Sequence, residues 1–328
     1  MKHSLSAVRI IRHLPAWPPV AASALTIGNL DGVHLGHLAM LDRVRLAAQE
    51  RRLTPSVLTF HPHPRTYFAQ IQGVPHQAPL KINGFRDKLG RIAAAGIEQI
   101  ALLRFNAVMA QMPPEEFVRK LLVEQLQMRW LMVGPDFRFG HRRSGDIELL
   151  ARMAPELGFE LEVLSEVSDQ DGQRISSSQV RQAMQAGDMS RVANLLGQPW
   201  RVTGRVLHGK KLGRTLGFPT LNLKVSDNTA ARFGIYVVRV HGLGPAPLPG
   251  IASLGKRPTV DDDLGVLLET HILDANIDAY GKLVSVELLQ HVRDEQKFPD
   301  LTSLTAAMQG DRQHAKDYFA HHGLQDHA

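Results

Sequence analysis

Cysteine is absent from the 328 residues. That excludes a disulfide framework, a thiolate nucleophile and any cysteine-ligated zinc or iron–sulfur centre. It fits a reducing compartment, so a cytoplasmic location is expected. Long apolar runs are missing too: no stretch approaches the roughly 20 residues that cross a bilayer. The segment from Met1 to Leu14 carries Lys2, Arg9 and Arg12 but no continuous apolar core of signal-peptide length. No membrane partner is therefore expected. Strong charge bias is also lacking. A formal net charge of +6 suits anionic partners, nucleotides or nucleic acid, but is too small for this length to choose between them.

What is present is enough apolar residue, 44%, for two domains that each bury a core. The first part alternates apolar runs (Ser56 to Phe60, Gln99 to Leu103, Trp130 to Val133) with helix-like stretches (Phe85 to Ala95, Pro114 to Leu126, Gly145 to Leu157). That alternation predicts an α/β domain with a parallel sheet covered by helices, its ligands beyond the carboxyl ends of the strands. Near residue 188 the character changes. Asp188 to Leu196 reads as a short helix, after which strand patterns dominate: Trp200 to Leu207, Gly234 to Val240, Leu264 to Leu273 and Lys282 to Val292. An antiparallel β-barrel is the natural closure, followed by a terminal helix from Leu301 to His321. The expected domains are 1–187 and 188–328.

The most informative string is Gly28-Asn29-Leu30-Asp31-Gly32-Val33-His34-Leu35-Gly36-His37. An apolar run enters it, and helical spacing of Leu38, Leu41 and Val44 leaves it. Gly28, Gly32 and Gly36 allow a sharp turn and close approach to a ligand. His34 and His37 sit where free N–H groups and the positive end of the helix dipole converge, which suits a phosphate. Further on, Arg174-Ile175-Ser176-Ser177-Ser178-Gln179-Val180-Arg181 opens a second helix. One serine suffices for an N-cap. The remaining hydroxyls and Arg181, one turn on, suit a triphosphate tail.

The first string resembles the signature of nucleotidyltransferases related to class I aminoacyl-tRNA synthetases. More closely, it resembles the first motif of the bacterial bifunctional riboflavin kinase/FAD synthetases, and Ser176 to Arg181 resembles that family's second nucleotide element. The resemblance implies a Rossmann-like nucleotidyltransferase domain that adenylylates FMN to FAD and releases pyrophosphate. It assigns Gly28, Asn29, Asp31, Gly36, Ser176 and Ser177 to ATP, and His34, His37 and Arg181 to catalysis. It also puts His61-Pro62-His63-Pro64 and Gly134-Pro135-Asp136-Phe137-Arg138-Phe139-Gly140 beside the flavin, so His61, Pro62, Asp136 and Phe137 are expected there. Asp136 is the candidate for a polar contact, while the two phenylalanines also suit a loop anchor.

In the second half, Gly209-Lys210-Lys211-Leu212-Gly213-Arg214-Thr215-Leu216-Gly217-Phe218-Pro219-Thr220-Leu221-Asn222 interleaves glycine with cations before a strand. Thr220 and Asn222 lie two apart, so on a strand they face one way and could hold Mg²⁺ and phosphate oxygens. The string resembles the riboflavin kinase motif ending P-T-A-N, with Leu221 in place of Ala. That resemblance assigns Gly209, Lys210, Gly213, Arg214, Gly217 and Thr220 to ATP. Period two puts Leu267, Glu269, His271 and Leu273 on one strand face. A carboxylate in such an apolar strand needs a partner or a function, and the resemblance makes Glu269 the general base toward the riboflavin 5′-hydroxyl.

Gly250-Ile251-Ala252-Ser253-Leu254-Gly255-Lys256-Arg257 has P-loop glycine spacing, but Arg257 stands where a hydroxyl belongs and Pro258 follows. It instead resembles the kinase family's N-x-G-x-R-P-T loop, with Ser253 in place of Asn. The stretch from Arg293 to Phe298 resembles a further element near the flavin, which assigns Arg293 and Glu295 there. Riboflavin, FMN, FAD, ATP and pyrophosphate are the expected partners, with Mg²⁺ as cofactor. A nucleic-acid-binding alternative would need exposed stacking platforms. The barrel part offers few aromatics (Trp200, Phe218, Phe233, Tyr236, Tyr280, Phe298), several of them inside apolar runs or the motifs above, so no nucleic-acid partner is expected.

Overall fold

The computed structural model describes residues 8–14, 21–165, 167–169, 172–208, 218–256, 265–275 and 277–324. The chain divides into two compact units. The first comprises Met1–Pro79 and Lys88–Ile175, and the second Leu80–Asp87 and Ser176–Ala328.

The first unit is a six-stranded sheet of β1 (Arg9–Ile11), β2 (Ser23–Ile27), β3 (Thr54–His61), β4 (Gln99–Arg104), β5 (Met128–Val133) and β6 (Glu160–Val163), in the order β1-β4-β3-β2-β5-β6. Every pairing is parallel. Strand residues alternate between two cores, as a sheet buried on both faces requires. Leu25, Leu58, Ala101 and Leu131 enter one core. Ala24, Val57, Ile100 and Trp130 enter the other.

Helix α1 (Leu35–Arg51) covers the second face with the Lys88–Ala94 part of α3 (Phe85–Ala94). Short helices α2 (Pro64–Ile71) and α4 (Ala107–Gln111) follow β3 and β4. The first face is covered by α5 (Pro114–Glu116), its π-helical continuation Phe117–Gln125, and α6 (Ile147–Leu157). The chain leaves β2 toward β3 on one side, while β5 lies on the other. Strand order therefore reverses beside β2, and the loops after β2 and β5 flank the crevice where such sheets bind ligands.

The second unit starts with α7 (Ser177–Ala186) and α8 (Met189–Leu196), capped by Ser176 and Asp188. An antiparallel sheet of β7 (Trp200–Arg205), β8 (Thr220–Lys224), β9 (Gly234–His241), β10 (Leu248–Lys256), β11 (Val266–Ile272) and β12 (Leu283–Arg293) runs in the order β7-β12-β9-β10-β11-β8. Leu207, just beyond β7, bridges Asn222 of β8, so the two edges meet and the barrel is nearly closed. Its interior follows the register through Leu223, Leu268, Leu254, Tyr236, Val238, Leu288, Val286 and Val202. Helix α9 (Leu301–His322) packs Ala315 on Val237 and Ile251 of the opposite face.

The start of one expected loop is a strand: Ser253 to Lys256 belongs to β10, whereas Arg257, Pro258 and Thr259 lie outside the described residues. The glycines of β10 mark close approaches rather than a turn. A Cβ on Gly250 would lie 2.9 Å from the His271 carbonyl oxygen, and one on Gly255 would lie inside the Glu295 carboxylate.

Candidate active sites

In the first unit the turn after β2 is forced. Leu30, Gly32 and Val33 all have positive φ (47°, 86° and 45°), although Leu30 and Val33 are branched residues that disfavour it. Both are buried, so packing holds the strained turn in place. Helix α1 begins at Leu35, with His34 as an N-cap that makes no side-chain capping bond. The His34 and His37 rings stack with centroids 3.7 Å apart. Gly36 lies against them: a Cβ there would sit 3.3 Å from the His34 ring.

Two cations that the sequence reading did not single out complete this site. From α3, Lys88 donates to the Asn29 carbonyl and, at 2.8 Å, to Thr59 Oγ1. Arg91 donates to the Val33 carbonyl at 2.9 Å. Burial lowers the Lys88 ammonium to about 8, with Asp31 opposing the shift. Burial, then the charges of His34, Lys88 and Arg91, hold the His37 imidazole well below its ordinary value. His37 Nδ1 and Asn29 Oδ1 are sealed from solvent with no hydrogen-bond partner among the described residues. Buried donors and acceptors left this way call for a polar ligand.

Beside this turn is a cavity of about 390 Å³, lined by Ile27, Gly28 and Asn29 and by Phe60, Phe68, Phe105, Phe117, Phe137 and Phe139. Phe137 stacks on Phe139 at 5.4 Å. Arg65, Arg138, Arg142 and Arg143 also line the cavity, and Arg142 and Arg143 both sit at positive φ. The aromatic wall suits a flat conjugated ring and the guanidinium groups suit an anion.

Other expected residues lie elsewhere. Asp136 is exposed and accepts a 2.6 Å bond from Arg174. His61 ends β3, and the neighbouring His63 caps α2 by accepting from the Arg65 N–H. Neither His61 nor Pro62 lines the cavity.

Ser176, Ser177 and Arg181 belong to the second unit, and His34 and His37 to the first. Ser176 forms a capping box with Gln179, so its hydroxyl serves the helix start. Arg181 Nε donates to the Leu80 carbonyl at 2.7 Å.

In the barrel, Thr220 and Asn222 share the β8 face turned away from the interior. Asn222 stands opposite Glu269, Glu269 opposite Ser253, and Thr220 opposite His271. Asn222 is 4% exposed, and its Oδ1 has no partner among the described residues. Burial lowers the His271 imidazole, whose Nδ1 lies 3.0 Å from the Pro219 carbonyl oxygen.

The stretch after β12 is pinned at consecutive residues. Arg293 grips Asp311 through bonds of 2.8 and 2.6 Å, Asp294 grips Arg232 at 2.7 and 2.6 Å, and Glu295 accepts from Ser253. Gly209, Lys210, Gly213, Arg214 and Gly217 lie outside the described residues. Among the described residues no group of three or more His, Asp or Glu side chains gathers to hold a metal.

Residues 19–179 match the family model described as FAD synthetase, and residues 196–319 the one described as riboflavin kinase. A "Bifunctional riboflavin kinase/FMN adenylyltransferase" of Escherichia coli K12 is 38% identical over 314 residues, covering 95% of this chain and 98% of that protein. The protein of the same name from Pseudomonas fluorescens is 40% identical over 290 residues, covering 87% of this chain and 89% of its own length. A crystal structure titled "Macrolide-efflux Protein" from Streptococcus pneumoniae superposes with a TM-score of 0.77 at 28% identity, covering 95% of this chain and 99% of that one. Among the described residues here, no helix is long and apolar enough to cross a membrane.

Proposed function

The chain belongs to the bifunctional riboflavin kinase/FMN adenylyltransferase family, and on that premise we propose that it makes FMN from riboflavin and then FAD from FMN, using ATP in both steps. The observation that carries this reading is that each unit holds its own reactive constellation. Stacked His34 and His37 stand among Lys88 and Arg91 in one, and Asn222 and Glu269 face each other across strands in the other.

In the first unit the aromatic cavity receives the flavin of FMN. The FMN phosphate oxygen attacks the α-phosphorus of ATP and pyrophosphate leaves. No covalent enzyme intermediate is needed, so the work is positioning and stabilisation of charge developing on phosphate oxygens. The α1 N-terminus, His34 and His37 supply donors, and Lys88 and Arg91 supply fixed positive charge near them. Ser177 and Arg181 are assigned to the departing phosphates. The adenylyltransferase boundary is placed at residue 187.

In the second unit Glu269 takes the proton of the riboflavin 5′-hydroxyl, whose oxygen attacks the γ-phosphorus of ATP in line, breaking its bond to the β–γ bridging oxygen so that ADP leaves. The buried, unpartnered Oδ1 of Asn222, with the Thr220 hydroxyl two residues away on the same face, is a donor set fit for a hard cation. When bound there, Mg²⁺ neutralises phosphate charge. A cytoplasmic location and exclusively small-molecule partners complete the proposal.

The test is incubation of the purified chain with riboflavin, ATP and Mg²⁺, followed by separation of the flavins over time. FMN is expected first and FAD after it. Unchanged riboflavin, or RNA copurifying in place of flavin, overturns the reading.

A further inference from the structure

The ladder between β8 and β11 stops at the pair Thr220 and His271. One step further along the register stands Pro219, which has no N–H to give to a ladder. The His271 side chain reaches over that step. Its Nδ1 lies 3.0 Å from the Pro219 carbonyl oxygen, and because a carbonyl oxygen only accepts, the ring nitrogen donates. His271 is buried, and Phe218 stands edge-on to its ring with centroids 5.1 Å apart. The side chain therefore engages Phe218 and Pro219, the two residues that lead into Thr220.

That hold falls where the strand needs it. The Val225 N–H donates to the Val266 carbonyl at 2.9 Å. Hydrogen-bonded pairs alternate along an antiparallel ladder, so Leu221 with Thr270 is such a pair and Thr220 with His271 is not. The Thr220 backbone is thus tied to β11 through its neighbours, Leu221 after it and, by way of the His271 ring, Pro219 before it. β8 is also the last strand in the sheet order. On its other side, among the described residues, the Leu207 N–H holds the Asn222 carbonyl at 2.9 Å, two residues past Thr220.

We propose that His271 is a positioning residue for the cation end of the barrel site. Its bond to the Pro219 carbonyl fixes the backbone before Thr220 and so keeps the Thr220 hydroxyl beside the buried Asn222 Oδ1, where the two can take Mg²⁺ and phosphate oxygens together. This rests on the reading of the barrel as a riboflavin kinase. Glu269, two residues before His271 on the same strand face, serves the riboflavin hydroxyl. Loss of the His271 bond is therefore felt by MgATP and not by riboflavin.

The experiment compares the full chain as wild type, His271→Phe and His271→Asn. Phenylalanine keeps a ring against Phe218 and removes the donor, whereas the asparagine amide lies at the same distance from the backbone as Nδ1 and can still donate. Hydrogen–deuterium exchange without any ligand reads the clamp itself. Exchange over Phe218 to Lys224 should quicken in His271→Phe, with β9 unchanged, and return toward wild type in His271→Asn. In kinase assays His271→Phe should raise the ATP KM and the Mg²⁺ concentration for half-maximal rate about five- to tenfold, the scale of one neutral hydrogen bond. The riboflavin KM and FAD synthesis from added FMN should stay constant, and His271→Asn should recover most of the loss.

Unchanged exchange over Phe218 to Lys224 in His271→Phe overturns the proposal. So does faster exchange with an unaltered ATP KM and Mg²⁺ requirement, which makes the bond structural only. An equal rise in the riboflavin and ATP KM values, or a fall in kcat alone that His271→Asn does not recover, overturns it in favour of a general or a chemical role. If His271→Phe does not fold, His271→Gln replaces it, since its amide reaches the Nε2 position instead of Nδ1; equal kinetics for His271→Gln and His271→Asn then count against the clamp. If wild type itself fails to phosphorylate riboflavin, the kinase reading falls, and that result is distinct from an active wild type indifferent to residue 271.

Discussion

The two candidate sites are built in opposite ways for the phosphate chemistry proposed for them. The first is built on a loop whose strained residues, Leu30 and Val33, are locked by burial, with buried cations brought in by a helix more than fifty residues along the chain. The second is built on regular strands, where period-two alternation and register put Thr220, Asn222, Glu269 and Ser253 on one face without strain. Charge differs as well: Lys88 and Arg91 make the first site cationic, whereas Glu269 and Glu295 make the described part of the second anionic. On the proposed reading, that difference suits the first site to stabilising charge on phosphates and the second to removing a proton from a neutral hydroxyl.

Breaking each side separately tests that contrast. The largest effect is expected from Glu269→Gln, which keeps shape but cannot accept a proton. Riboflavin phosphorylation should fall about 10²–10⁴-fold, while FAD synthesis from added FMN continues. Measured side by side with riboflavin affinity, a loss of turnover explained wholly by weaker binding would make Glu269 a binding residue. Next is His34→Ala with His37→Ala. Losing a donor aimed at developing charge costs about 10²–10³-fold, so FAD formation should collapse and FMN accumulate from riboflavin. Undiminished FAD synthesis by the folded double variant would remove the histidines from the mechanism.

A smaller effect separates cation binding from proton removal within the barrel. Asn222→Leu removes the buried amide oxygen that faces Glu269 while preserving approximate size. The Mg²⁺ concentration giving half-maximal kinase rate should rise about tenfold, the scale of one polar contact to a charged group, and saturating Mg²⁺ should restore much of the rate. A lowered rate that no Mg²⁺ concentration recovers would move Asn222 out of the cation site.

The same contrast explains what could be read from sequence. Strand alternation is local, so Thr220, Asn222, Glu269 and His271 could be grouped before any fold was known. The Gly28–His37 turn was legible because its glycines and histidines are contiguous. Lys88 and Arg91 were not, since in Lys88-Leu89-Gly90-Arg91 they look like surface cations of an amphipathic helix, and only burial of α3 against the turn distinguishes them. The cavity was half visible: Phe137 and Phe139 sit in a motif, whereas Phe60, Phe68 and Phe105 come from β3, α2 and the turn after β4, which converge at strand ends. Gly250 and Gly255 both lie inside β10, although the motif around Gly255 was expected as a loop. Their small size serves approach by the His271 carbonyl and the Glu295 carboxylate inside a strand.

The smallest expected effect reads the buried cation of the first site directly. The Lys88 ammonium is lowered from 10.5 to about 8 because burial penalises its charge. A cation depressed on folding binds fewer protons in the native than in the unfolded chain between those values, so its contribution to stability becomes more favourable as pH rises through that window. Below about pH 8 the full cost applies, of order 3 kcal/mol. Lys88→Met should therefore gain stability relative to wild type as pH falls from about 10.5 to about 8, with no further gain below that, while losing part of its FAD synthesis. ATP phosphates placed near Lys88 would pull its proton affinity back up. Calorimetric titration of the intact protein with ATP at pH 8, in two buffers of different ionisation enthalpy, should then show uptake of a fraction of a proton in wild type and less in Lys88→Met. Equal uptake in both would place the ATP phosphates away from Lys88, and the first site would then depend on its histidines and helix terminus without that buried charge.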